Sequence, residues 1–209
     1  MVSKIKTSNI IYFIGGAADK TRERFGVVRW GPTNLVGLIK NHFDALKGSF
    51  SDTRYYSYLE KDDIIRDIIH CKDANPDLRI NLVGHSRGGA VANEIATMVL
   101  PRYKTNSNIL VLLDPVKARP TDHFILPNNK NVSIANTFIC VYAKPLRRDP
   151  TDYVAIVGGQ YGLRLQECCD YFIQADANHG EPNKMLKLEL DTTGCSAWDI
   201  LLKESETAF

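Results

Sequence analysis

Short apolar runs that alternate with helical patterns constrain this chain more than any other feature. Ile10-Ile11-Tyr12-Phe13-Ile14 and Ile109-Leu110-Val111-Leu112-Leu113 are apolar throughout and no longer than a strand. A strand without polar alternation is one buried on both faces, the condition inside a parallel sheet. Ile80 to Val83, Phe138 to Tyr142 and Tyr171 to Gln174 read as further strands, and Thr53 to Tyr58 as an extended segment. Leu35, Ile39, Phe43 and Leu46 recur at helical spacing after Pro32-Thr33. Ile64, Ile65, Ile68 and Ile69 form a second stripe, with Asp62 and Asp63 in its first turn and Pro76 beyond its end. Gly88 to Leu100 reads as a third helix with Val91, Ile95, Met98 and Val99 inward, stopped by Pro101. Strands alternating with helices predict an α/β fold: a mostly parallel sheet with helices on both faces.

At 209 residues and 44% hydrophobic composition, the chain is expected to form one domain, 1–209, with a core that needs no disulfide or metal staple. Its five cysteines are odd in number and include no CxxC, so they read as reduced thiols. No Cys/His pattern has zinc spacing, and no metal or cofactor is expected. Lys plus Arg is 26 against 24 for Asp plus Glu, and a net charge of +2 is too small to imply nucleic acid as a partner. No apolar run approaches the length of a transmembrane helix. Met1 to Lys6 is basic like the front of a signal peptide. The apolar core behind it, Ile10 to Ile14, is too short and runs into Gly15-Gly16, so it reads as a strand. The expectation is a cytoplasmic protein, or one exported without an N-terminal signal peptide.

In a parallel sheet, ligands bind beyond the carboxyl ends of the strands. Gly15-Gly16, Ser86, Asp114 and the loop after Gln174 stand at such ends. The segment Gly84-His85-Ser86-Arg87-Gly88-Gly89 contains Gly-x-Ser-x-Gly. The bare pattern is weak; its position after an apolar strand and before a helix makes it specific. A serine on a sharp strand-to-helix turn needs small neighbours, and the helix N-terminus behind it points free N–H groups at developing negative charge.

This segment resembles the nucleophile elbow of the α/β-hydrolase fold in its lipase-like form. Leu113-Asp114-Pro115 is similar to the Leu-Asp-Pro of pancreatic-type lipases, and the likeness includes bacterial lipase and phospholipase effectors. It runs from about Ile10 to about Pro182. It implies a compact α/β-hydrolase with little or no cap domain and a Ser–acid–His triad in that chain order. Ser86 is then the nucleophile. His179, in Asp176-Ala177-Asn178-His179-Gly180 after the last strand, is the base. His42 and His70 precede the elbow, His85 lies within it beside the nucleophile, and His123 sits in the loop after Asp114. The acid is expected at Asp114. Asp149 and Asp152 occupy the alternative position, in a polar stretch that reads as a solvated loop.

The resemblance places an oxyanion hole at the Arg87 N–H and in the loop Gly15-Gly16-Ala17, which lacks the histidine of the family's His-Gly-Gly form. Gly158-Gly159-Gln160-Tyr161-Gly162 reads as a turn or pocket edge. Lys117 to Ala135 and Ala143 to Glu167 are the segments able to form a small cap. Phe124-Ile125-Leu126 in the first either packs back on its own domain, the commoner arrangement, or offers contact with an acyl chain or, peripherally, a membrane. The expected activity is hydrolysis of a carboxylic ester, of a lipid or phospholipid, by a Ser-His-Asp triad and an acyl-enzyme. A thioesterase or acyltransferase with the same triad, and a non-catalytic binding domain on the same fold, are the alternatives. The oligomeric state stays open.

Overall fold

A computed structural model of the chain describes residues 7–21, 31–103, 107–117, 134–190 and 194–207. Its strands are β1 (Asn9–Gly15), β2 (Ser51–Ser57), β3 (Arg79–His85), β4 (Ser107–Leu113), β5 (Ala135–Ala143) and β6 (Tyr171–Ala175). They form one sheet in the order β2-β1-β3-β4-β5-β6, and every neighbouring pair is parallel. The helices are α1 (Leu35–Asp44), α2 (Lys61–Ala74), α3 (Arg87–Glu94), α4 (Pro150–Val157), α5 (Pro182–Leu186) and α6 (Ala197–Ser205).

The continuous apolar strands are explained by two cores, one on each face of the sheet. Ile10, Tyr12 and Ile14 point to one face, where they meet Ile64 and Ile68 of α2 and Val91, Ala92 and Ile95 of the α3 segment. Ile11 and Phe13 point to the other, against Val36, Ile39 and Phe43 of α1, Met185 and Leu186 of α5, and Trp198 and Leu201 of α6. Successive strand side chains alternate faces, so a strand covered on both sides favours apolar residues at every position, and a polar one such as Asn81 must find a partner, here the Ile10 carbonyl at 3.3 Å. The α/β expectation holds, with the sheet parallel throughout its six strands.

Two expectations change. Leu46 lies past the end of α1 and is exposed, while Val36 takes the buried position at the helix start. The helix after the elbow does not stay α-helical to Leu100. It passes into a π-helical turn at Ile95–Val99 and a 3₁₀ turn at Leu100–Tyr103. The wider turn rotates the stripe, so Ile95 and Leu100 are buried and Met98 is exposed. His123 and Phe124-Ile125-Leu126 lie outside the described residues. No helix among the described residues is long and apolar enough to cross a membrane.

The sheet register sets the site. His85 pairs with Leu113 across β3 and β4, so Ser86 and Asp114 leave adjacent strands at the same level. The Ser86 N–H donates to the Leu113 carbonyl at 3.0 Å, and the Asp114 N–H to the Val141 carbonyl at 2.7 Å. These bonds tie the first residue after each strand to the next strand along.

Candidate active site

Ser86 stands between β3 and α3 with φ 56° and ψ −126°. Asp114 has φ 44°, and these two are the only non-glycine residues with positive φ among the described residues. Such backbone costs on the order of 1–3 kcal/mol, and it persists only where neighbours over-determine it. Here the elbow is held by close packing. A Cβ on Gly88 would sit 2.2 Å from the Ile14 carbonyl oxygen, so only glycine lets α3 rest directly on the end of β1. The Val116 and Gly89 N–H groups both donate to the Ser86 carbonyl, at 3.0 Å each.

His179 reaches the same point from the loop after β6. Its Nδ1 lies 2.6 Å from Asp114 Oδ2, and its Nε2 lies 2.9 Å from Ser86 Oγ. All three residues are buried, with Asp114 completely so. A carboxylate accepts only, so Nδ1 carries the ring proton and Nε2 is left to accept from the serine hydroxyl. Asp114 Oδ1 is occupied as well. It accepts from the Ala143 N–H at 2.9 Å and from the Gln160 side-chain amide, which also donates to the Ala143 carbonyl at 3.3 Å. Both oxygens of the buried carboxylate are therefore hydrogen-bonded, as a buried charge requires.

Asp149 and Asp152 do not touch the imidazole, and they do not lie in a solvated loop. Asp149 caps α4, accepting from the Thr151 N–H at 2.7 Å and the Asp152 N–H at 3.3 Å, with Pro150 at the first helical position. The Thr151 hydroxyl, which donates to Asp149 Oδ1 at 2.5 Å, and then these backbone bonds hold its carboxyl below the ordinary range. Asp152 is 4% exposed. Its Oδ2 accepts from the Asp149 N–H at 2.8 Å and its Oδ1 from the backbone N–H of His179 at 2.7 Å. One residue on, the Gly180 N–H donates to Thr151 Oγ1 at 2.9 Å. The first turn of α4 thus grips the backbone of the histidine loop.

His85 grips the same loop from below. Its Nε2 lies 2.8 Å from the His179 carbonyl oxygen, so Nε2 carries the proton and donates. Its ring sits 4.8 Å from that of His179, centroid to centroid. Its Nδ1 is buried without a hydrogen-bond partner. Burial, and then the neighbouring His179, push the His85 pKa down to about 4, so the ring stays neutral.

The glycine loop after β1 divides by residue. Gly15 belongs to the strand and packs against Asp19 and Tyr55. The Gly16 N–H donates to Asp19 Oδ2 at 3.2 Å, which leaves it no role toward an oxyanion. Gly16 instead makes room: a Cβ there would stand 2.8 Å from Ser86 Cβ and 3.3 Å from Ser86 Oγ. The candidate donors are therefore narrowed to Ala17 N–H, next in this turn, and Arg87 N–H, which at the first position of α3 has no intrahelical acceptor. The Arg87 side chain is drawn away, donating to Tyr58 Oη at 3.3 Å.

The residues singled out in the sequence for nucleophile, base and acid are thus brought within hydrogen-bonding distance. The sequence offered Asp152 only as an alternative acid and Gln160 only as part of a turn or pocket edge, and did not reveal their hold on His179 and Asp114. For Asp152 a signal existed. Asp149-Pro150-Thr151-Asp152 has the spacing of a capping box with proline at the first helical position, and it announces a helix where a loop was expected. For Gln160 there was none, since a polar residue among glycines is the ordinary content of a turn. No group of His, Cys, Asp or Glu side chains suited to a metal ion occurs among the described residues, and all five cysteines are free thiols. A scan against protein-family models and searches of curated proteins and of solved structures return no match to the chain.

Proposed function

We propose that this chain is a serine hydrolase of the lipase-like α/β-hydrolase kind, cleaving the carboxylic ester of a lipid through an acyl-enzyme. One observation carries the reading: Ser86 Oγ, at the tip of a strained strand-to-helix turn, lies 2.9 Å from His179 Nε2, while Nδ1 of the same ring meets Asp114 at 2.6 Å. A plain structural serine needs neither the backbone strain nor a buried, tautomer-fixed imidazole.

The chemistry follows from the proton positions. Ser86 Oγ gives its proton to His179 Nε2 as it bonds to the carbonyl carbon. Asp114 holds the ring and stabilises the imidazolium that forms, remaining ionised itself. The carbonyl oxygen gains negative charge and is met by the N–H groups of Arg87 and Ala17. When the intermediate collapses, the carbon–oxygen bond to the alcohol breaks and His179 Nε2–H protonates the leaving oxygen. Water then gives a proton to Nε2 while attacking the acyl carbon; as the bond from that carbon to Ser86 Oγ breaks, Nε2–H passes the proton to Oγ and the acid leaves.

A series of p-nitrophenyl esters of rising chain length tests this. Turnover by the wild type, rising from acetate to longer acyl chains and lost in Ser86→Ala with an unchanged circular dichroism spectrum, supports the reading. Equal turnover by Ser86→Ala contradicts it.

A further inference from the structure

Helix α4 turns the wrong residues to water. It buries Asp152 and Ala155, which lie on one side of the helix at a spacing of three. The opposite side carries Tyr153, Val154 and Val157, with Ile156 on its flank; Val154 is 69% and Val157 86% exposed. The outward face of a surface helix is ordinarily polar. Just before the helix, Lys144-Pro145-Leu146-Arg147-Arg148 presents Leu146 at 88% exposure between three exposed cations.

The carboxylates nearby are turned to other work. Asp149 caps α4, and Asp152 is buried against the His179 N–H. Asp176 Oδ1 accepts from the Leu146 N–H at 2.9 Å. Glu181 accepts from the Asn178 N–H at 2.8 Å and faces Lys184 at 3.9 Å. Apolar side chains edged by lysine and arginine match a bilayer boundary, where the apolar groups enter the acyl region and the cations meet anionic headgroups.

We propose that the outward face of α4, together with the Lys144–Arg148 loop, docks on an anionic phospholipid bilayer. The first turn of α4 is hydrogen-bonded to His179 and Gly180. The docked face and the side that holds His179 are therefore opposite sides of one helix, and the helix stands between the bilayer and the histidine loop. The delivery of lipid esters to Ser86 rests on the hydrolase reading; the docking itself does not.

Vesicle sedimentation tests it, with the full chain and two vesicle compositions: phosphatidylcholine alone, and phosphatidylcholine with one-third phosphatidylglycerol. Three cations at the surface, offset in part by the exposed Asp176 carboxylate beside Leu146, predict about tenfold tighter binding to the anionic vesicles at low salt, weakening as salt rises. Val154→Ser with Val157→Ser should lower binding more than tenfold to both compositions. Lys144→Gln with Arg147→Gln and Arg148→Gln should remove the anionic preference. Turnover of p-nitrophenyl acetate should be unchanged in both variants. Wild-type protein that stays in the supernatant with anionic vesicles overturns the proposal. So do variants that sediment like wild type. Concentration-dependent self-association abolished by Val154→Ser with Val157→Ser, without vesicle binding, overturns it in favour of a contact between copies of the chain. Vesicle binding that follows the variants in a protein without ester turnover upholds the docking surface and overturns the hydrolase reading instead.

Discussion

The backbone N–H of His179 donates to the buried carboxylate of Asp152 at 2.7 Å. The histidine is thus held twice: its ring by Asp114 and its peptide by the first turn of α4. Removing the second hold leaves the buried His179 N–H and the half-buried Asp149 N–H without their acceptor. Asp152→Ala should cost about 1–3 kcal/mol of stability and lower kcat at least tenfold. Urea denaturation and ester kinetics on one preparation check both effects. The polar look of Arg147 to Asp152 suggests instead that Asp152→Asn is nearly silent, and full turnover in Asp152→Ala would restore that view.

Gln160 shares Asp114 Oδ1 with the Ala143 N–H. Gln160→Ala should reduce kcat several-fold with little change in KM, because the ring is then less firmly oriented in the transition state. Gln160→Glu should be worse. A second carboxylate beside a fully buried one raises the protonation pKa of the pair, so the acid limb of the kcat profile should move to higher pH. A pH–rate profile of the two variants separates lost orientation from added charge.

Gly16 lies against the nucleophile. The Cβ of Gly16→Ala would enter the space of Ser86 Cβ at 2.8 Å, and one of the two must shift. Turnover should fall by about 10²-fold, since displacements near 1 Å carry that cost. Thermal melts should show only a modest change, because Gly16 lies beyond the hydrogen-bonded part of β1.

His85 gives a pH prediction with a definite sign. Its folded-state pKa lies near 4, below the ordinary value of 6.5. Between those values the unfolded chain binds a proton that the folded protein refuses, so stability falls as pH drops from 6.5 to 4. The loss should be on the order of 2–3 kcal/mol. His85→Gln keeps an N–H near the His179 carbonyl and cannot titrate, so its stability should change less over that window. Denaturant midpoints at pH 7, 5.5 and 4.5 for both proteins test this; parallel curves would remove His85 as the cause.

The fold and the Ser86–His179–Asp114 chain were legible in the sequence because backbone demands write them there. A strand buried on both faces must be apolar, as in Ile109 to Leu113, and a tight elbow must have glycine, as at Gly88. Each leaves a mark in one contiguous segment. Asp152 and Gln160 act at a distance in sequence, on His179 and Asp114, and only the sheet register brings them there. Helical periodicity also failed locally at Met98, where a π turn shifts the stripe, because no residue type announces such a turn.

The most direct measurement is intact mass after treatment with a fluorophosphonate, which bonds covalently only to a serine oxygen activated by its base. The expected result is one adduct per wild-type chain, on the peptide holding Ser86. It should be absent from folded Ser86→Ala and slowed by 10³-fold or more in folded His179→Ala. Wild-type protein that is folded yet takes up no adduct, or an adduct formed equally in Ser86→Ala, would contradict the assignment of Ser86 as a nucleophile activated by His179.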